Sequence, residues 1–200
     1  MLINLEKNLC IGLHAKAASR WLENIFKRRG FTEIGARHEG PRNLTQLLGL
    51  PIEDEWWARD PMSVDYCFVV RKHPDALFSW WSTFKGALPH ADQERVCVTF
   101  LQEWPRQFSR LFPCSTRLWR FVWDMPNASI LRFETLTKDV DRYLDHHGLE
   151  KLEVWETARD PAHITPGKPP GTWEQYFNDE SMDFLRERYR AEAEFLGYHF

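Results

Sequence analysis

The chain has little that would direct it to a membrane, a metal or a nucleic acid. No apolar run approaches the length of a membrane span. Met1 to Asn8 carries Glu6 and Lys7 and has no apolar stretch of the signal-peptide kind. These absences predict a cytoplasmic protein with no membrane partner. There are only four cysteines, Cys10, Cys67, Cys97 and Cys114, and they are too scattered for any Cys-x-x-Cys pairing. Cys10 and Cys67 sit in apolar strand-like runs, where a thiol behaves as a small hydrophobe, so neither metal binding nor redox use is expected. Surplus positive charge is also missing. A formal net charge of −3 argues against a nucleic-acid partner. Internal repeats and low-complexity tracts are absent.

The composition present is that of a globular protein. With 43% hydrophobic and 28% charged residues over 200 positions, the chain can bury a substantial core, and one domain spanning 1–200 is expected. Four stretches read as strands: the apolar run from Leu9, Phe31–Gly35, Val64–Val70, which is the richest in β-branched and aromatic residues, and Ala128–Phe133. Between and after them the apolar spacing turns helical. Leu22, Ile25 and Phe26 share one face of a helix stopped by Gly30. Pro74 suits the first turn of a helix through Phe84. Further helices are expected over Gln93–Phe112, with a bend at Pro105, over Thr116–Trp123, after Thr135 to near Gly148, and over Asp179–Leu196. Asn43 caps a short helix in this reading, and Ile164–Thr172, rich in Pro, Gly and Lys, is a loop. Strands alternating with helices predict an α/β fold with a parallel sheet covered on both faces.

In such sheets ligands bind beyond the carboxyl ends of the strands. That rule selects three segments: Ala15–Trp21, Arg37–Glu39 and Arg71–Ser79. The first is a strand, a turn of small residues around Lys16, and a helix start. Amides not used inside the helix point outward there, and the helix dipole favours an anion. Read alone, the same segment is equally an ordinary strand–helix turn with a solvent-facing lysine.

Three segments resemble the sulfotransferase family, whose members use 3′-phosphoadenosine 5′-phosphosulfate as donor. Ala15–Lys16–Ala17–Ala18–Ser19–Arg20–Trp21–Leu22 is similar to the family's 5′-phosphosulfate loop, usually Pro-Lys-Ser/Thr-Gly-Ser/Thr-Thr-Trp-Leu. Phe68 to Pro74, continuing to Ser79–Trp80–Trp81, resembles the 3′-phosphate motif, in which an arginine ends a strand and a serine follows eight residues on. Ile130–Leu136 looks like a later family strand, and Tyr189–Phe200 is similar to the usual family ending. The matches fall in the family's order along nearly the whole chain.

The resemblance implies a three-layer α/β/α fold with a central parallel sheet and a P-loop-like strand–loop–helix. It also implies a sulfuryl transfer needing no metal, from that donor to a hydroxyl-bearing acceptor. Lys16 would neutralise charge building on the bridging oxygen. The amides of Ala17, Ala18, Ser19 and Arg20, with the Ser19 hydroxyl, would bind the 5′-phosphate. Trp21 falls where some members stack an aromatic on adenine, although a core tryptophan suits the same position. Arg71 and Ser79 would hold the 3′-phosphate. His38 is the first choice for the general base and Glu39 the second. His73 is a weaker candidate for the base, since inside the Arg71 motif it would equally orient the phosphate or cap the helix. Lys168, in a loop resembling the family's donor-covering loop, would reach a phosphate, and Trp173 would close over the nucleotide. Trp56, Trp57, Trp80 and Trp81 favour a saccharide among the small hydroxyl acceptors, if they are not core.

Two departures stand out. Ala18 replaces the usual glycine, so its backbone is expected to keep out of positive φ. Arg20 replaces a small hydroxyl residue. They motivate a second reading, a catalytically silent nucleotide- or partner-binding protein on the same fold. A P-loop kinase is the third and is disfavoured, because Gly-x-x-x-x-Gly-Lys followed by Ser or Thr is absent and the strongest strand ends in Arg71 rather than a metal-binding carboxylate.

Overall fold

The computed structural model describes residues 2–13, 18–33, 64–84, 86, 94–108, 127–157 and 171–199. It is a mixed α/β architecture with a central sheet and flanking helices. In chain order the elements are β1 (Leu2–Asn4), β2 (Leu9–Gly12), α1 (Ser19–Arg28), β3 (Thr32–Glu33), β4 (Asp65–Val70), α2 (His73–Phe84), α3 (Val98–Phe108), β5 (Ala128–Arg132), α4 (Leu136–His146), α5 (Val154–Thr157) and α6 (Asp179–Leu196). The helices expected at Asn43 and over Thr116–Trp123 lie outside the described residues, as does most of the Ile164–Thr172 loop. The chain divides into two compact units, Met1–Val70 with Arg120–Ala158, and Arg71–Trp119 with Arg159–Phe200.

The first unit holds the sheet, in the order β3-β1-β2-β4-β5. β2, β4 and β5 run parallel, with Ile11 beside Cys67 and Val69 beside Leu131. The expectation of a purely parallel sheet is corrected here, because β1 pairs antiparallel to both β2 and β3. The reason is chain length. Only Leu5–Asn8 separate β1 from β2, and a link that short closes a hairpin but cannot make the crossover that parallel neighbours need. Asn8 takes the left-handed conformation in that turn, φ 57°, which asparagine tolerates. β1 itself was not foreseen, since three residues beside Glu6 and Lys7 carry little pattern. Two reversals make β3 run in the same direction as β2, so β2, β3, β4 and β5 all end at one edge of the sheet.

Alternation along the strands places Leu9, Ile11, Cys67, Val69 and Leu131 on one face, where α1 contributes Leu22, Ile25 and Phe26 and α4 contributes Val140, Tyr143 and Leu144. Phe26 is central to this core, its ring edge-on to Phe31 at 5.0 Å and to Tyr143 at 6.1 Å. The opposite face, with Ile3, Cys10, Tyr66 and Phe68, is buried as well.

The second unit packs α2, α3 and α6 around Phe78, Trp81, Phe100, Leu185 and Tyr189. α3 continues through Pro105 to Phe108. α6 begins with a reciprocal cap, in which Asn178 Oδ1 accepts from the Ser181 amide at 2.9 Å and Ser181 Oγ from the Asn178 amide at 3.0 Å. It ends at Gly197, φ 67°.

Candidate functional site

The candidate loop begins where β2 ends at Gly12. Lys16 and Ala17 lie outside the described residues; Ala18 resumes the path as the N-cap of α1. Its φ of 58° and ψ of 30° are left-handed. This overturns the expectation that alanine would keep the backbone out of that region. The chain adopts at Ala18 the turn for which glycine is the usual residue, and a β-carbon there costs roughly 1–2 kcal/mol. Packing holds it, since Ala18 leans on the core that includes Leu22 and Phe26.

Ser19 and Arg20 open α1. The first bond within the helix runs from the Leu22 amide to the Ala18 carbonyl at 3.0 Å, so the amides of Ser19, Arg20 and Trp21 precede it. The first turn carries no acid, and Ala18 supplies no capping side chain. Arg20 is exposed. This end of the helix is suited to an anion by its dipole and by charge.

Trp21 is tied into the fold. Its ring packs on the core, and its indole N–H donates to the Glu156 carbonyl at 2.7 Å. The other end of α1 is bound to the same segment by Arg29. Arg29 Nε donates to the Glu150 carbonyl at 2.6 Å, Nη1 to the Ile25 carbonyl at 2.8 Å and Glu156 Oε1 at 3.0 Å, and Nη2 to the Lys151 carbonyl and Glu156 Oε2, both at 2.7 Å. The guanidinium–carboxylate pair is buried, with side-chain exposures of 4% and 2%. Hydrogen bonding to Arg29 holds the Glu156 carboxyl below the usual range, against the opposing effect of burial. Sequence reasoning missed this clasp, because Arg29 and Glu156 stand 127 residues apart.

The segment expected to meet a 3′-phosphate lies at the start of the second unit. Arg71 directly follows β4, and Ser79 is a buried residue of α2. Between them stands Asp75, also missed, whose Oδ2 accepts from Arg71 Nε at 2.5 Å. Asp75 and Ser79 are one turn apart on α2, and Arg71, which precedes the helix, is paired with Asp75. The i, i+4 spacing of Arg71 and Asp75 was the available signal. His73, also in this first turn, is buried with Nε2 3.1 Å from Glu192 Oε1 and its ring stacked on Tyr189 at 4.8 Å. Trp81 belongs to the core of this unit, and Trp80 packs against it from the side. Trp173 is half-buried, its ring edge-on to Phe177.

His38, Glu39 and Lys168 lie outside the described residues, as do Trp56 and Trp57. The strand that precedes His38 and Glu39, β3, ends at the same sheet edge as β2 and β4. Burial pushes the Cys10 thiol up to about 12 and the Cys67 thiol well above its ordinary value, so both stay protonated and pack as apolar groups. At the start of β4, on the other edge, His147 lies 3.9 Å from Asp65 and tilts against Tyr143 at 4.4 Å. Burial, with the neighbouring His146 charge, lowers its pKa despite Asp65. Among the described residues no group of three His, Cys, Asp or Glu stands where it could hold a metal, and no helix is long and apolar enough to cross a membrane. No family model, no curated protein and no solved structure matches the chain.

Proposed function

We propose that this protein is a sulfotransferase of the three-layer α/β/α, P-loop-like kind, moving a sulfuryl group from 3′-phosphoadenosine 5′-phosphosulfate to a hydroxyl acceptor such as a saccharide. The observation that carries the reading is Ala18. The chain accepts a left-handed alanine, φ 58°, at the position where the resembled loop has glycine, directly before the first amides of α1. Support comes also from the shared edge at which β2, β3 and β4 end, and from Arg71 following β4 directly.

In this reading Ser19 and the neighbouring amides take the 5′-phosphate, and Arg71 and Ser79 take the 3′-phosphate. Lys168 reaches a phosphate, and Trp173 closes over the nucleotide. The acceptor oxygen forms its bond to sulfur as the bond from sulfur to the phosphate oxygen breaks. The hydroxyl proton passes to His38 or Glu39, and Lys16 meets the charge left on the phosphate. A silent binder on the same fold is the second reading, favoured by the arginine at position 20.

Calorimetric titration with 3′-phosphoadenosine 5′-phosphate tests the donor site. Binding is expected without magnesium and weakened by about 100-fold in Arg71→Ala, the scale of a lost charge-assisted contact. No binding, or binding only of ATP with magnesium, refutes the proposal. Transfer of labelled sulfate to saccharides and phenols then separates an enzyme from a silent binder. His38→Ala and Glu39→Gln, assayed with donor affinity intact, identify the base.

A further inference from the structure

The helix turn that would face the 3′-phosphate carries an acid. Asp75 Oδ2 accepts from Arg71 Nε at 2.5 Å, and the guanidinium is the more enclosed partner, with 10% side-chain exposure against 26% for Asp75. By charge alone a carboxylate at this position opposes a phosphate dianion, so its presence calls for another role. An arginine has four flexible bonds, and a ligand that must order them loses that entropy on binding. A carboxylate one helical turn away that fixes the guanidinium plane beforehand removes this loss. The turn carrying Asp75 is itself anchored, because His73 lies against Glu192 and Tyr189 of α6 within the same unit. Ser79 follows Asp75 by a further turn along that face.

We infer that Asp75 is a positioning residue, which holds the Arg71 guanidinium by its Nε edge and thereby makes the site selective for nucleotides bearing a ribose 3′-phosphate. The inference rests on the donor reading above. Any phosphate that reaches Arg71 shares the guanidinium with Asp75, and orientation outweighs repulsion between the two anions.

The test is titration of the full chain with 3′-phosphoadenosine 5′-phosphate and, in parallel, adenosine 5′-phosphate, which lacks the 3′ group. The ratio of the two affinities isolates the contact. Asp75→Ser keeps a residue suited to a helix start but is too short to reach Nε. It is expected to reduce the ratio about tenfold while leaving adenosine 5′-phosphate unchanged. Asp75→Asn keeps an acceptor for Nε and is expected to stay within about threefold of the wild type. Tighter binding of the 3′-phosphorylated nucleotide in either variant makes Asp75 a mere repulsive charge and overturns the inference. In Asp75→Ser, an equal loss for both nucleotides marks a purely structural residue, and no change for either shows no role; each also overturns it. If the wild type itself does not prefer the 3′-phosphorylated nucleotide, the donor reading fails, a result distinct from any of these.

Discussion

Glu156→Gln puts the clasp on α1 to a direct test. The substitution is nearly isosteric, so it removes charge while leaving an oxygen that can accept from Arg29 and from the Glu153 amide, which the carboxylate holds at 2.9 Å. What remains is a buried guanidinium, 4% exposed, whose counter-ion is gone. Removing one partner of a buried ion pair costs about 3–5 kcal/mol, and the retained acceptor places glutamine at about 3 kcal/mol. For a chain of this size that is a fall in Tm of about 6–12 °C. The pH dependence is the sharper readout. Arg29 depresses the Glu156 pKa, so the pair contributes stability above the ordinary carboxylate range, about 4.3, and loses it as pH falls through the folded-state value. Wild type and variant should therefore converge in acid. Thermal melts followed by near-ultraviolet circular dichroism from about pH 7 to about pH 3 give both quantities. A variant within about 0.5 kcal/mol of wild type at neutral pH, or a gap that stays constant into acid, refutes the reasoning. Because Trp21 and Arg29 both bind α1 to this segment, the clasp also bears on where the Ala18 turn is held.

Two further perturbations address the loop and the far edge of the sheet. Ala18→Val places a β-branched residue at φ 58° and is expected to destabilise by about 1–3 kcal/mol in urea, whereas Ala18→Gly, which relieves the β-carbon strain at the cost of chain entropy and a methyl contact, is expected to be neutral or stabilising by up to about 1 kcal/mol. Equal stability of the valine variant and wild type argues that the turn is not left-handed in solution. His147, whose pKa is lowered chiefly by burial, contributes stability that is present above the ordinary imidazole pKa, about 6.5, and declines as pH falls through the folded-state value. His147→Gln should flatten that part of the urea-stability profile, and an unchanged slope would show that another group titrates there.

How much was legible depends on how local each interaction is. The periodicity of Met182, Leu185 and Tyr189 bounded α6 at Asp179–Leu196 as observed, because a helix bonds residues four apart and declares itself within a few turns. β4 declared itself through its run of β-branched and aromatic residues. The Arg71–Asp75 pair was open to the same reasoning, since its spacing is local, but the motif drew attention to Arg71 and Ser79 alone.

The sequence by itself determined the elements that rest on neighbours: the strands β2, β4 and β5, the helices after them, and the placement of Arg71 and Ser79 after β4. Only the tertiary structure decided the rest. The antiparallel insertion of β1 depends on which edge of the sheet is open to it, not on its own three residues. The clasp joins Arg29 to Glu156 across 127 residues, a separation over which no periodicity carries information. Ala18 is left-handed because the chain must leave β2 and enter α1 with Leu22 and Phe26 facing the core. The conformation of one residue was set there by the burial of others.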